Sequence, residues 1–430
     1  MQPRLDWELS NWLQYIESIH PRTIDLSLDR VRRVLHCLIP TYPRTIITVG
    51  GTNGKGSTVA MLDAVYRSAG YRVGTYTSPH LVHYGERAKV NGRPASADRL
   101  CQAFQSVEDV RGGIPLTYFE FGTLAALEIF SRSGLDIWIL EVGMGGRLDA
   151  VNAVDADLAI ITSIDLDHQA WLGDSREEIG KEKAGILRYR GSAVVSDSNP
   201  PTTITERLAA LQCDWRLAER DFSVQEVNGK RAFSSAGPKW SQPSFLEHVE
   251  VESTNPVWSQ NLAGALAAIR VLEKKLPVAR EHVSALNGLS MPGRQERVGG
   301  DVSIWFDVGH NLQAVCALAQ ALHAESVSGK TRAVFAMLKD KDIAPAIEVM
   351  RSAVDYWYPA TLEDGRALAD DDLRSALSGL AIVDAGRGQT PQACYRAAVQ
   401  ASVPGDRVVV FGSFYLVGDI LAAHSERAPG

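Results

Sequence analysis

The sequence predicts an α/β protein: a mostly parallel, P-loop-type sheet domain over residues 1–296, then a smaller Rossmann-like α/β domain over 297–430. Three observations predict it. Apolar β-branched runs alternate with helical patterns from 45 to 190, the pattern of a parallel sheet with crossover helices. A glycine-rich run, GTNGKGS at 51–57, joins a strand to a helix. The alternation stops and then restarts after MPGR at 291–294, which reads as a linker.

Taken in order, residues 7–36 read as two helices, WELSNWLQYIES and a second from about Leu28, separated by HPRTIDLS at 20–27. TIITV at 45–49 is β-branched and reads as a buried strand. From Ser57 the pattern turns helical, with Val59, Leu62, Val65, Tyr66 and Ala69 on one face and Gly70 as the stop. Further strands are expected at 72–77, 136–142, 158–163 and 192–196. Ser175 and Glu178 form a capping box that starts a helix in SREEIGKEKAGIL. Residues 213–255 carry short, polar-broken runs suited to β-hairpins, and a helix is expected over 261–275. In the second domain strands are expected at 302–306, 332–337, 355–359, 380–384 and 406–411.

Composition narrows the class. The chain has 430 residues, 45% hydrophobic and 22% charged, with formal net charge −7 and no Lys/Arg block, so nucleic acid is excluded as an expected partner. Its five cysteines (Cys37, Cys101, Cys213, Cys316, Cys394) are scattered without metal spacing, as in a reduced cytoplasmic protein. MQPRLDWELS lacks a secretory apolar segment, and the apolar stretches 136–142 and 407–424 contain charges or glycines, so no membrane span is expected. A monomer is the default.

The chemistry centres on GTNGKGS. A glycine-rich turn feeding a helix start points bare N–H groups at one spot, with the helix dipole behind them. Thr52, Asn53, Gly54, Lys55, Gly56 and Ser57 therefore form a candidate site for a nucleoside triphosphate, ATP by preference. The common phosphate-loop pattern is only partly met: Val49 stands where a glycine is usual, and the hydroxyl after the lysine is delayed to Ser57. In open parallel sheets ligands bind beyond the carboxyl ends of strands. There the sequence places Ser78 in TSPHL, Glu141 in LEVGMGGRLDAVN, and Asp165, Asp167 and His168 in SIDLDH. A hydroxyl, a buried carboxylate and an imidazole suit Mg²⁺, which takes few protein ligands. The GMGG at 143–146 lacks dinucleotide-fingerprint spacing and reads as a tight turn. On spacing alone Lys181 and Lys183 read as a solvated helix face. In the second domain Asp307, His310, Ser413 and Tyr415 fall at strand ends, where ordinary turn polarity explains them equally well.

Together these segments resemble the folylpolyglutamate synthase family of ATP-dependent amide ligases, kin to the Mur ligases, and its bifunctional bacterial branch most of all. The likeness spans nearly the whole chain: HPRTIDLSLDRV, GTNGKGS, TSPHL, LTYFEFGTLAAL, LEVGMGGRLDA, SIDLDH, EKAGI, MPGR, FDVGHN and FGSFYL occur in order. The resemblance implies ATP on Thr52 to Lys55, and Mg²⁺ (two ions, with a monovalent cation as an optional third) on Ser78, Glu141, His168 and a carbamylated Lys183. It implies nucleotide contacts from Asn261, Arg294 and Asp307, and glutamate at His310, Ser413 and Tyr415. Asp25, Leu26, Ser27 and Leu28, with Thr117, Tyr118, Phe119 and Glu120 and with Leu148, Asp149 and Ala150, match segments that hold dihydropteroate. It reverses the reading of Lys183 and accounts for the delayed hydroxyl, because the family shows the same Gly-Lys-Gly-Ser order. Gly309 departs from the family's usual alanine.

The implied reaction joins L-glutamate to dihydropteroate and to tetrahydrofolate through an acyl phosphate, with Lys55, Lys183 and His310 as catalytic residues. A monofunctional folylpolyglutamate synthase is the nearest alternative. A Mur-type ligase would need a domain before the phosphate loop, which begins early here. A nucleotide switch or a non-catalytic ATP-binding protein would show no glutamate-dependent turnover.

Overall fold

The computed structural model describes residues 7–235, 237, 239–240, 244–247, 249–252, 258–381 and 389–425. Its contacts divide into two units: Met1–His80 with Tyr84–Leu289, and Leu81–His83 with Ser290–Gly430.

In the first unit the elements run α1 (Leu9–Ser18), α2 (Asp29–Leu38), β1 (Thr45–Gly50), α3 (Lys55–Ser68), β2 (Val73–Tyr76), β3 (Ala88–Val90), β4 (Arg93–Pro94), α4 (Ala97–Arg111), α5 (Tyr118–Ser131) and β5 (Ile137–Glu141). They continue β6 (Leu158–Ile161), α6 (Gln169–Leu172), α7 (Arg176–Lys183), β7 (Ser192–Val195), α8 (Thr202–Ala210), β8 (Asp214–Leu217), β9 (Ser223–Val227), β10 (Lys230–Ser234), β11 (Glu250–Val251) and α9 (Trp258–Leu272). The main sheet has the order β4-β3-β2-β5-β1-β6-β7-β8, parallel from β2 to β8 with an antiparallel edge. β1 lies between β5 and β6, with Val49 in register with both Glu141 and Ile160. The chain therefore steps across β1 between β5 and β6, and the carboxyl ends of these three strands form one rim.

The central strands are buried on both faces, which is why they read as continuous apolar runs rather than alternating ones. On one face, Trp12, Val34, Phe104 and Phe121 from α1, α2, α4 and α5 pack with Ile46, Trp138 and Leu140. On another, Ile179, Ile204 and Leu208 from α7 and α8 pack with Ala159, Ile161, Ala193 and Val195.

Sequence expectation and structure differ in places. Asp214–Leu217 pairs in parallel with β7 as the last strand of the main sheet, whereas β9, β10 and β11 form the expected antiparallel ribbon. The helix expected over 261–275 spans Trp258–Leu272 and ends there because Lys275 and Leu276 turn back to the Leu272 carbonyl ahead of Pro277. The phosphate-loop helix begins at Lys55, two residues before Ser57.

The second unit contains β12 (Glu296–Val298), β13 (Ser303–Asp307), α10 (Leu312–Ala324), β14 (Thr331–Phe335), α11 (Ile343–Met350), β15 (Tyr356–Pro359), α12 (Asp370–Ala376), α13 (Pro391–Gln400), β16 (Arg407–Phe411) and α14 (Phe414–Ser425). The sheet order is β12-β13-β16-β14-β15, parallel except for β12. Of the strand expected at 380–384, residues 382–384 lie outside the described residues; the Ala381 carbonyl accepts the Trp357 amide at 2.9 Å.

One close approach sets the seat of α9. A Cβ on Gly264 would lie 2.0 Å from Oγ of Ser196, just beyond β7. Alanine normally favours a helix over glycine by about 1 kcal/mol. Here Gly264→Ala is expected to destabilise the protein by about 1–3 kcal/mol through overpacking. Removing the hydroxyl in the double variant with Ser196→Ala should restore most of that loss. Urea unfolding of both variants checks it, and a stabilised Gly264→Ala protein would refute this packing.

Candidate active site

The loop after β1 is held by the end of β6. Thr52 donates its amide to the Ser163 carbonyl at 2.7 Å, and its hydroxyl exchanges bonds with the backbone of Asp165 at 3.0 Å each way. The Thr162 hydroxyl donates to the Asn53 carbonyl at 2.7 Å, and the Ser163 hydroxyl accepts the Asn53 amide at 3.3 Å. Gly54 then takes φ +86° as the N-cap of α3; a Cβ there would lie 2.1 Å from Oδ1 of Asn261, on α9. The first-turn amides of Lys55, Gly56 and Ser57 have no intrahelical acceptor, so they make a donor set for an anion backed by the dipole of a long helix.

Two lysines meet over this loop. Nζ of Lys55 donates to the carbonyls of Gly51 and Thr52, each at 3.0 Å. Nζ of Lys183, from the end of α7, donates to the same Gly51 carbonyl at 2.7 Å. Lys183 is only 4% exposed, so the solvated-face reading of its spacing is wrong; Lys181 alone fits it. Burial pushes the Lys183 ammonium down to about 7, and the charge on Lys55 pushes the same way, against Asp167 and Asp149.

The candidate metal ligands fall on the same rim. Glu141 ends β5, is 5% exposed, and accepts the Ser78 amide on Oε2 at 3.2 Å. The Cβ direction of Gly56 points to that oxygen at 3.5 Å, so the carboxylate sits against the first turn of α3. His168 caps α6 with φ +53° and stands 3.9 Å from Asp167, three residues beyond the Asp165 that is tied to Thr52. Among the described residues no three His, Cys, Asp or Glu side chains converge as a metal cluster. The donor set here is instead sparse and oxygen-rich, a hydroxyl and a carboxylate with one imidazole, which fits Mg²⁺.

Three segments expected to hold a pterin behave unevenly. Asp25 and Glu120 are joined through Arg30, which pairs with them at 3.0 and 2.9 Å. Nothing in the sequence pattern singled out Arg30; a buried Glu120 needing a cation was the available signal. Thr117 caps α5, and Glu120 accepts both the amide and the hydroxyl of Thr117. Asp149 is buried, accepts the amides of Met144 and Val151 at 2.9 Å, and is pushed up to about 6 by that burial. Ala150 is core. Tyr118, Phe119 and Leu148 are partly exposed; Leu26, Ser27, Leu28 and Leu148 line a cavity of about 520 Å³.

In the second unit Asp307 is buried and accepts the amides of Gln295 and Gly309 at 3.0 and 2.6 Å; burial raises its carboxyl, with Arg294 opposing. Arg294 stacks over Phe414 at 4.7 Å. His310 bonds the Val308 carbonyl through Nδ1 at 2.9 Å and faces Phe414. The Ser413 hydroxyl accepts the Tyr415 amide, and the Tyr415 hydroxyl bonds Arg366.

Comparisons with known proteins give the family. The family model of the Mur ligase middle domain matches residues 49–228, and that of the Mur ligase glutamate ligase domain matches 293–414. A dihydrofolate synthase/folylpolyglutamate synthase of Escherichia coli is 40% identical over 436 residues, covering 100% of this chain and 98% of the relative. The Haemophilus influenzae protein of that name is 35% identical, covering 98% and 99%. The E. coli FolC structure in complex with DHPP and ADP superimposes with TM-score 0.89 at 37% identity, covering 99% of this chain and 100% of that one. The Yersinia pestis bifunctional enzyme with AMPPNP and Mn gives 0.88 at 38%, with the same coverage.

Because Gly54 is both left-handed and pressed on Asn261, Gly54→Ala should weaken ADP binding by at least about tenfold while the melting temperature shifts by only a few degrees. Calorimetric titration with ADP checks this; unchanged affinity would show that the loop's shape does not set the site.

Proposed function

As the chain belongs to the dihydrofolate synthase/folylpolyglutamate synthase family, we propose that it joins L-glutamate to dihydropteroate, giving dihydrofolate, and to tetrahydrofolate, giving folylpolyglutamate, driven by ATP. The observation that carries this reading is the N-terminus of α3, with Lys55 folded over it and the Glu141 carboxylate against it. We read the active unit as a cytoplasmic monomer; the described cysteines are all free thiols.

A carboxylate is a poor electrophile because its leaving group is poor. Transfer of the γ-phosphoryl group of ATP gives an acyl phosphate and ADP; the glutamate amine then attacks that carbonyl, and inorganic phosphate leaves. The protein's part is positioning and charge. Thr52 to Ser57 seat the phosphates, and Lys55 follows the charge that grows on the transferred group. Ser78, Glu141, His168 and a carbamylated Lys183 are the residues that would hold Mg²⁺, whose charge offsets that of the phosphate oxygens. Carbamylation suits a lysine whose burial favours the neutral amine, since only that form adds CO₂. To Asn261, Arg294 and Asp307 we assign nucleotide contacts, and to His310, Ser413 and Tyr415 the glutamate. Tyr118, Phe119 and Leu148 are assigned to the pterin, on a frame built by Asp25, Thr117, Glu120 and Asp149.

The test is ADP release with ATP and Mg²⁺ while dihydropteroate, tetrahydrofolate and glutamate are added in turn. Release should require glutamate together with either acceptor; release with tetrahydrofolate alone as acceptor would favour the monofunctional reading. Lys55→Ala should lower kcat at least about 100-fold in a folded protein, and near-normal turnover would refute its role. Lys183→Ala should lose activity and regain part of it with added short-chain carboxylic acids, which replace the carbamate; a fully active variant would remove the carbamate from the mechanism.

A further inference from the structure

Arg87 follows Glu86 in the short turn that precedes β3, and its carbonyl accepts the Thr77 amide at 2.9 Å, which fixes it beside Ser78. Its guanidinium lies over two tyrosine rings, 5.2 Å from the centre of Tyr84 and 5.4 Å from that of Tyr118. Nε donates to Nδ1 of His80 at 2.9 Å, which requires that ring to be neutral at that nitrogen. The hydroxyl of Tyr76 is a further neighbour, itself bonded to Thr123 at 3.1 Å. The Tyr84 hydroxyl is buried with no hydrogen-bond partner.

This environment is unusual for the cation. Several other arginines withdrawn from solvent in this unit are paired with acids: Arg30 with Asp25 and Glu120, Arg111 with Glu108, Arg188 with Asp155. Arg87 is surrounded by rings and hydroxyls, and among the described residues it makes no ion pair with an Asp or Glu. Ring faces offset only part of the cost of taking a guanidinium out of water, and an anion supplies the remainder. The anion has to arrive beside Ser78, on the Glu141 rim, and beside Tyr118, in the pterin segment.

We infer that Arg87 forms an anion subsite that binds the carboxylate of the pterin substrate, the group about to be phosphorylated. The inference rests on the function proposed above. A planar guanidinium grips a carboxylate through two parallel N–H bonds, one to each oxygen, which fixes the plane of the group and leaves each oxygen a further lone pair for the incoming phosphoryl group. Tyr118 would then serve twice, as a face for the pteroate and as a wall that orients Arg87.

Dihydropteroate carries a single carboxylate, so its carboxamide isolates the charge. Both ligands are titrated calorimetrically into the full chain with ADP and Mg²⁺ present. Wild-type protein should prefer the carboxylate by about 10- to 100-fold. In Arg87→Met, which keeps the side-chain stem, that preference should fall to about 1 while carboxamide affinity stays within about threefold. Arg87→Lys, which preserves the charge, should retain an intermediate preference and covers the case in which the methionine variant fails to fold. A methionine or lysine variant with the full wild-type preference, or one that loses both ligands equally, would overturn the subsite and leave Arg87 as packing. Wild-type protein that binds neither ligand would instead overturn the functional reading on which the subsite rests.

Discussion

One carbonyl group organises the catalytic rim. The oxygen of Gly51 receives the amines of both Lys55 and Lys183. Two full ammonium charges on one acceptor repel strongly away from water. Burial and that repulsion together favour the neutral amine on Lys183, the more enclosed of the two. Lys55 starts α3, whose N-terminal dipole favours anions.

The fold makes this meeting possible at low cost in chain length. Gly51, Glu141 and Thr162 stand at the ends of three strands that are neighbours in the sheet, although Glu141 and Thr162 follow Gly51 by 90 and 111 residues in sequence. Their order β5-β1-β6 leaves the end of β1 flanked on both sides by carboxyl ends of parallel strands. A loop in that position can be bonded laterally, and the Thr162 and Ser163 hydroxyls do this, fixing Asn53 before any ligand arrives. Preorganisation of that kind avoids ordering the loop at the moment of binding.

How much of this was legible depended on whether the signal was local. β1, β2, β5, β6 and β7 were readable because strands buried on both faces are continuous apolar runs bounded by turn residues. The loop was readable because glycine, lysine and hydroxyl are adjacent in sequence. The ribbon β9–β11 was readable only as a tendency, and Asp214–Leu217 was mistaken for part of it, since an edge strand with one half-exposed face looks like a hairpin arm. Lys183 was illegible from spacing: helix periodicity states which residues share a face, not whether that face meets water or Gly51. Arg30 and Arg87 carry no direct sequence signal, because each also depends on a partner from a distant segment, Glu120 and Tyr118.

The family motifs themselves divide once their atoms are followed. Thr117, Glu120 and Asp149 bond backbone amides, hydroxyls and Arg30, and so close the turns on which their neighbours sit. Their neighbours Tyr118, Phe119 and Leu148 keep partly exposed surfaces. Polar residues in a motif are commonly taken as the ones that touch substrate. Here they also close the turns: partly exposed side chains stay in place only if the turns beneath them are closed by buried hydrogen bonds. The buried bonds of Thr117, Glu120 and Asp149 thus set the shape on which the surfaces of Tyr118, Phe119 and Leu148 depend.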